Sequence, residues 1–463
     1  MSKWSGKKVL IIGAARQGTA LARFLTKKDA RVVLNDRRSM EELTEAQQAL
    51  ADLQVDWVTG SHPLDVLTGV DLVCLSGGVP LSLDLVQEAL RRQIPLSNDS
   101  QIFFEEAPCA IIGITGSSGK TTTTALVGEI AQRHFAIRKP DQKVWIGGNI
   151  GNPLISIVDE IDAEDLAIVE LSSFQLELMS RSPHIAAILN LKPDHLDRHE
   201  TMSKYVSAKA NILKHQTTGD IAILNRDDPL VRELYPEVKG RQITFGFNEP
   251  YQKEDSTFIK RDKLFLQASG QLAKIVKTNQ VHLRGKHNLY NVLATVAISA
   301  AARFSLGSIY EGITEFEGVP HRLSFVREWR GAAWYNDSIA TSPERAIAAL
   351  ESFDEPIILL AGGRDKDLPW RPFIELITQK VDHLVVFGEA AGLILDGIGE
   401  VSAEKRPLTI DRCTHLEEAV KKAAEHVETG DVVLLSPGGT SFDEFKDFED
   451  RGRRFAQWVN NLS

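Results

Sequence analysis

Cysteine is scarce. The 463 residues include three, Cys74, Cys109 and Cys413, odd in number and scattered without metal-ligand spacing. That excludes a disulfide framework and a cysteine-based metal site, and it fits a reducing compartment. Long apolar runs are missing too. Although 43% of the residues are hydrophobic, no run reaches the roughly 18 residues of a spanning helix, so no membrane insertion is expected. Positive charge is in deficit: 53 Lys and Arg against 63 Asp and Glu leave a net charge of −10. This argues against nucleic acid as the main partner, while leaving room for basic pockets around anionic ligands. The opening MSKWSGKKVLIIG enters a strand too early for a signal peptide, so a cytoplasmic location is expected. There is no low-complexity segment. The length suits about three domains.

What is present centres on residues 111–124, IIGITGSSGKTTTT. The apolar start reads as a buried parallel strand and ALVGEI after it as a helix. Between them lies Gly116-Ser117-Ser118-Gly119-Lys120-Thr121-Thr122. Small residues let backbone N–H groups approach phosphates, Lys120 reaches the terminal phosphates, and the Thr121 hydroxyl suits Mg²⁺. The spacing departs from the usual phosphate loop. Five residues, not four, separate Gly113 from Gly119, and Ile114 stands where the first Gly of the pattern belongs. The competing reading is a Gly-rich strand-to-helix turn with an incidental lysine.

The chain opens with a strand at 7–13, the turn Gly13-Ala14-Ala15-Arg16-Gln17-Gly18, a helix, and a second strand ending at Asp36. This is Rossmann-like, but Ala15 replaces the middle Gly that lets a pyrophosphate approach, so a nucleotide-sugar or vestigial site competes with a dinucleotide. A further strand at 70–76 ends in Ser76-Gly77-Gly78, and 105–108 reads as a linker. After the phosphate loop come the glycine-dense turn 147–153 with Asn149, and the strand DLAIVEL with Glu170 at its end. A carboxylate at a strand's carboxyl end near a phosphate loop is a candidate Mg²⁺ ligand; the plain alternative is a carboxylate capping the next turn. The strand at 185–191 delivers Asp194, His195, Asp197 and Arg198. His195 suits a metal or a substrate, though a loop histidine is more often merely solvated. Lys209 lies in a helix at 203–213, where the bland expectation is a solvent-facing lysine. Residues 240–280 read as a small antiparallel excursion, and Asn288 and Asn291 share a face at the start of a long apolar helix. A boundary is expected at 318–322. Beyond it, strands at 332–336, 356–361, 383–387 and 432–436 alternate with helices, and three of them end in polar turns at one rim.

The ordered set TGSSGKTTT, GGNIG, ELSSFQLE, DHLDR, the helix around Lys209, GKHNLYN, PHRL, NDSIATSP, GGRDKD and SPGGTSFDEFKDFEDRG resembles the Mur ligases, ATP-dependent amide-forming enzymes of peptidoglycan synthesis. Within them, ELSSFQLE and the closing SFDEFKDFEDRG resemble the D-glutamate-adding branch. The resemblance implies three α/β domains: a Rossmann-like domain at 1–107 for the UDP substrate, a mostly parallel ATPase domain at 108–318, and a Rossmann-like amino-acid domain at 319–463. It implies an acyl-phosphate route joining D-glutamate to UDP-N-acetylmuramoyl-L-alanine. By resemblance, Lys120, Asn149, Glu170, His195 and Lys209 are catalytic. One Mg²⁺ falls to Thr121 and Glu170, and a second to His195 with Lys209 as a CO₂-derived carbamate. ATP also falls to Gly116 through Thr122, Asn288, Arg322 and Asp337. The UDP substrate falls to Arg16, Gln17, Asp36, Arg37, Ser76, Gly78, Asn149 and His195, and D-glutamate to Thr341, Lys366, Ser441 and Phe448. For Phe448, core packing competes. A monomer that closes about 318–320 is implied as well.

Three alternatives stand beside this reading. One is another Mur ligase with a different amino acid. The second is a folylpolyglutamate-synthase-like ligase, which would lack the first domain. The third is an NAD-binding oxidoreductase, which leaves the phosphate loop unexplained. A purely structural protein fits poorly with polar clusters at successive strand ends.

Overall fold

The computed structural model describes residues 2–149, 151, 153–251, 254–400 and 407–463. Ile150 and Asn152 of the expected 147–153 turn, and the side chain of Asp197, lie outside the described residues. Among the described residues the strands form three sheets of five, nine and six strands.

The first sheet comprises β1 (Lys8–Ile12), β2 (Arg31–Asp36), β3 (Asp56–Thr59), β4 (Leu72–Leu75) and β5 (Leu96–Ser97), in the order β3-β2-β1-β4-β5. All its pairings are parallel. Alternate side chains on each strand point to opposite faces. Val9, Ile11, Val32 and Leu34 accordingly join one buried cluster, and Leu10, Ile12, Val33 and Val73 another. Burial on both faces is why these strands read as continuous apolar runs.

The second sheet holds β6 (Ala110–Thr115), β7 (Val144–Gly148), β8 (Leu166–Glu170), β9 (Ile185–Ile188), β10 (Ile221–Asn225), β11 (Arg241–Phe245), β12 (Ser256–Lys260), β13 (Lys263–Ala268) and β14 (Gln271–Lys277). Their order is β14-β13-β12-β11-β10-β9-β6-β8-β7. β6 sits between β8 and β9, so the loop after it opens between two neighbouring strand ends. The expected antiparallel excursion is smaller than the sequence indicated. β11 and β12 pair parallel, and only β12-β13-β14 run antiparallel. The expected linker at 105–108 also begins later, because Glu105 and Glu106 close the helix Asp99–Glu106.

The third sheet contains β15 (Ser324–Trp329), β16 (Ala332–Asn336), β17 (Ile357–Gly362), β18 (Val381–Phe387), β19 (Thr409–Arg412) and β20 (Val432–Gly438), in the order β15-β16-β20-β17-β18-β19. β15 and β19 are edge strands that the sequence pattern did not single out. Their side chains are partly or fully exposed, so neither carries a sustained apolar run. The three strands expected to share a polar rim, β16, β20 and β17, are immediate neighbours.

The chain divides into two compact units. One is the chain up to Gln280 plus Tyr290–Thr314; the other is Val281–Leu289 plus Glu315–Ser463. The first two sheets fall together because they share a core: Val9 and Ile11 belong to the same buried cluster as Ala167, Val169, Ala186 and Ile188. Polar contacts reinforce it. Ser172 and Gln175 form a capping box at the helix Ser173–Glu177. From there the Gln175 Nε2 donates to Ser100 Oγ (2.8 Å), and Asn98 Nδ2 donates to the Gln175 carbonyl (2.8 Å). Gln175 is buried, so truncating its side chain strands the buried Ser100 hydroxyl and removes the capping box, while the Asn98 bond to its backbone carbonyl stays. Gln175→Ala should therefore cost about 1–3 kcal/mol, read as a lower denaturation midpoint with an unchanged denaturant slope.

Candidate active site

The loop after β6 is built by its neighbours. Ser117 N–H donates to the Asn190 carbonyl (2.9 Å), and Ser118 N–H to Asn190 Oδ1 (2.9 Å). Ser117 Oγ lies 2.8 Å from the Tyr205 hydroxyl. Gly119, at φ 81°, caps the helix Lys120–Arg138 with no side-chain hydrogen bond. A Cβ there would strike the Asn291 side chain. Only glycine meets both demands, left-handed backbone and close approach. A helix N-terminus that carries no capping side chain and follows a Gly-rich turn is a seat for anionic oxygen.

Two lysines converge on one carbonyl of this loop. Lys120 Nζ donates to the Gly116 oxygen at 2.9 Å, and Lys209 Nζ to the same oxygen at 3.0 Å. Lys209 also donates to Thr115 Oγ1 at 3.3 Å and lies 4.9 Å from the centre of the Tyr205 ring. The expectation of a solvent-facing lysine fails here, since Lys209 is only 2% exposed. The helix Met202–Lys214, capped by Thr201, turns Tyr205, Lys209, Ile212 and Leu213 inward together. Burial, then the nearby charge of Lys120, drives the Lys209 amine well below the usual lysine range; Asp194 and Glu170 oppose this.

Glu170 ends β8 beside the end of β7, opposite Gly148. Its Oε1 accepts from Asn149 Nδ2 at 3.2 Å, and the Asn149 N–H donates to the Glu170 carbonyl at 2.9 Å. Glu170 Oε2 is buried and has no hydrogen-bond partner among the described residues. A buried, acceptor-only carboxylate oxygen beside a phosphate loop fits a hard cation. Among the described residues no three His, Cys, Asp or Glu side chains gather as a metal cluster. Any Mg²⁺ here would complete its shell with phosphate oxygens and water. His195 stands apart from a ready-made cage. It is about half exposed, 3.6 Å from Asp194, at φ 53° before the short helix Leu196–His199. Its ring centre lies 5.1 Å from that of Phe174, which also stacks on His199 and carries the Arg198 guanidinium at 4.4 Å. Arg198 donates in turn to the Gly78 and Val79 carbonyls at 3.1 and 3.0 Å. It thereby links the His195 segment to the rim of the first sheet.

On that rim, the Asp36 carboxylate is already occupied. It accepts from the Ala14 N–H (2.8 Å) and from the Arg38 backbone N–H and guanidinium. Burial works against its charged form, but these bonds win and hold it down at about 2. Its side chain secures the turn after β1, and Arg38, which the sequence reading passed over, is its cation. Gln17 accepts from the Gly77 N–H at 3.2 Å, Ser76 is buried, and Arg16, Arg37 and Gly78 are exposed.

In the second unit the rim of β16, β20 and β17 is tied by Arg451. This fully buried residue donates to the Ser338 hydroxyl and carbonyl (3.0 and 2.8 Å) and to the Gly439 carbonyl (3.1 Å). Burial pulls its guanidinium down to about 10. Asp337 accepts from Ser436 Oγ (2.9 Å) and the Leu323 N–H (3.2 Å), next in sequence to Arg322. Ser441 is buried, Thr341 partly so, and Lys366 exposed. Phe448 is half-buried and opens the last helix, its carbonyl accepting from Ser338 Oγ; the core positions are Phe445 and Phe455.

Three family models match in order along the chain: a Mur ligase MurD-like N-terminal domain at 7–98, a Mur ligase middle domain at 114–299, and a Mur ligase glutamate ligase domain at 321–439. A UDP-N-acetylmuramoylalanine–D-glutamate ligase of Symbiobacterium thermophilum is 40% identical over 457 residues, covering 99% of this chain and 98% of its own. One from Pelotomaculum thermopropionicum is 38% identical, covering 100% and 99%. The chain belongs to the Mur ligase family. Solved structures of a UDP-N-acetylmuramate-alanine ligase from Thermotoga maritima and a pseudomurein peptide ligase type C from Methanothermus fervidus share the fold. Their TM-scores are 0.59 and 0.57, at 20% and 17% identity; each covers at least 98% of both chains.

For this Mur ligase, sequence reasoning missed Asn190, Tyr205, Phe174, Arg38 and Arg451. Arg451 carried one signal: a charge on the inward face of an otherwise amphipathic last helix. Asp337 offers a test of the second unit. Burial pushes its carboxyl up to about 7 from 3.8, against the Ser436 hydrogen bond and the charge of Arg322. An acid that holds its proton more tightly when folded stabilises the fold at low pH. That contribution is lost as pH rises through about 7. The melting temperature of the wild type relative to Asp337→Asn should therefore fall between about pH 4 and pH 7 and level off above. A constant difference in calorimetry would contradict the burial.

Proposed function

We propose that the chain is an ATP-dependent ligase that adds D-glutamate to UDP-N-acetylmuramoyl-L-alanine. Full-length likeness to ligases named for that reaction supports it, and so does the match to a glutamate ligase domain. The observation that carries the chemistry is the pair of lysines on the Gly116 carbonyl beside the unpartnered Glu170 oxygen. The first-domain match at 7–98 weighs against a folylpolyglutamate-synthase-like enzyme.

In this reading the substrate carboxylate attacks the γ-phosphorus of ATP and ADP leaves. The amine of D-glutamate then attacks the acyl-phosphate carbonyl. A tetrahedral intermediate forms, the nitrogen loses its proton, and phosphate departs with the C–O bond. The protein's task is to gather several anions without repulsion. Loop residues Gly116 to Gly119 and Thr122 cradle phosphates, Lys120 neutralises them, and Asn149 faces the transferred group. Thr121 and Glu170 would hold one Mg²⁺, and His195 with modified Lys209 a second. Bound there, the metal screens phosphate charge and polarises the acceptor oxygens. Lys209 suits carbamylation because burial weakens its hold on its proton, and the free amine attacks CO₂, releasing one proton. The resulting anion would attract the Lys120 ammonium beside it. On the first rim, Arg16, Gln17, Arg37, Ser76 and Gly78 take the UDP moiety on a turn set by Asp36. In the second unit, Asn288 reads adenine, Arg322 and Asp337 serve phosphate and ribose, and Thr341, Lys366, Ser441 and Phe448 hold D-glutamate.

We further assign domains at 1–107, 108–318 and 319–463, and a cytoplasmic monomer. No helix among the described residues is long and apolar enough to cross a membrane.

ATP-dependent phosphate release should occur with UDP-N-acetylmuramoyl-L-alanine, Mg²⁺ and D-glutamate, with a matching product mass. Release with another amino acid only would overturn the roles of Thr341, Lys366, Ser441 and Phe448. Lys209→Ala should lose at least about 100-fold in kcat, in the range of a lost catalytic charge, and short carboxylates should partly restore it. Wild-type turnover in the unrescued variant would rule the carbamate out.

A further inference from the structure

The segment Val281–Leu289 belongs to the C-terminal unit although it precedes that unit's main run of sequence. Arg284 is what fastens it there. Its guanidinium lies 5.2 Å from the Tyr335 ring centre and 5.3 Å from that of Phe353, and it forms an ion pair with Glu355. The two rings are themselves in contact at 5.0 Å. A planar cation held by two aromatic faces and a carboxylate has little freedom. Four residues on, the buried Asn288 donates its Nδ2 to the Arg284 carbonyl at 2.7 Å.

That bond decides which way round the amide lies. A carbonyl only accepts, so it can pair only with the NH₂ half of the asparagine. An amide reading adenine must present its oxygen to the N6 amine and its nitrogen to N7. A 6-oxo purine has acceptors at both O6 and N7, so the amide held in this order sets its oxygen against O6 and pairs with that base poorly. We propose that Arg284 is a positioning residue for purine selection: by anchoring residues 281–289 it lets its own carbonyl fix the Asn288 amide in the order that favours a 6-amino purine nucleotide. This rests on the assignment of Asn288 to the base.

The test compares kcat/KM for ATP and for inosine triphosphate, which carries oxygen in place of the amine at position 6 and a proton on N1, in the full chain with the other substrates saturating. Asn288→Ala should lose the preference for ATP. Arg284→Ala should lower it by about tenfold or more, the scale of one bidentate base contact, with KM for D-glutamate unchanged. Arg284→Lys keeps the charge but not the planar stacking, and Glu355→Gln keeps the stacking but not the ion pair; both should give intermediate losses. These two decide the matter if Arg284→Ala does not fold. If Asn288→Ala keeps the wild-type ratio, the base assignment is wrong. If Asn288→Ala loses it while the Arg284 and Glu355 variants keep it, the base assignment stands and the positioning role is overturned.

Discussion

Everything around the phosphate loop depends on one backbone oxygen, that of Gly116. Two ammonium groups reach it, one from the first turn of the helix after the loop and one from a helix almost ninety residues further on. Two cations this close in a buried setting cannot both keep their charge cheaply. Lys209 is the more buried of the two, and burial together with the charge of Lys120 drives its amine well below the usual lysine range. An amine whose proton is weakly held is a better nucleophile, and an anion built on it would attract the Lys120 ammonium.

Around that point the architecture does two separable jobs. Parallel strands bring loop ends to a common edge, so the phosphate loop after β6 lies beside Glu170 at the end of β8 and Asn149 just past β7. The shared core of the first two sheets then makes the rim of the first a fixed neighbour of the second. Arg198 and Gln175 cross between them with hydrogen bonds that a sliding contact could not keep. Coupling of this kind suits a long, anionic substrate that must meet several groups at fixed spacing.

The C-terminal unit solves a similar problem with a buried cation. Arg451 has no carboxylate in hydrogen-bond contact. Its donors are spent on Ser338 and Gly439, one on each of two neighbouring rim loops. A cation so desolvated costs stability unless its donors are satisfied, and here several are, by backbone and hydroxyl oxygens. The result is a rim whose loops are braced from beneath. Polar side chains above it can then be set without relying on long, mobile loops.

The sequence by itself determined the strands buried on both faces, the order of motifs along the chain and the family they belong to. Those features live in local composition: apolar runs, Gly-rich turns, and charged residues at strand ends. It also pointed to Lys120 and Glu170 through their places after strands, and to Asn149 through the family resemblance. Its helical pattern left Lys209 looking like an ordinary helix lysine, singled out only by the family resemblance, because helical spacing tells which residues share a face but not which face meets a loop from another part of the chain. Only the tertiary structure decided that Lys209 is buried on Gly116, that Asp36 is spent on Arg38 and the Ala14 N–H, and that Val281–Leu289 sides with the C-terminal unit. Each of these turns on contacts between residues far apart in the chain, where desolvation and charge proximity, rather than local pattern, set the chemistry.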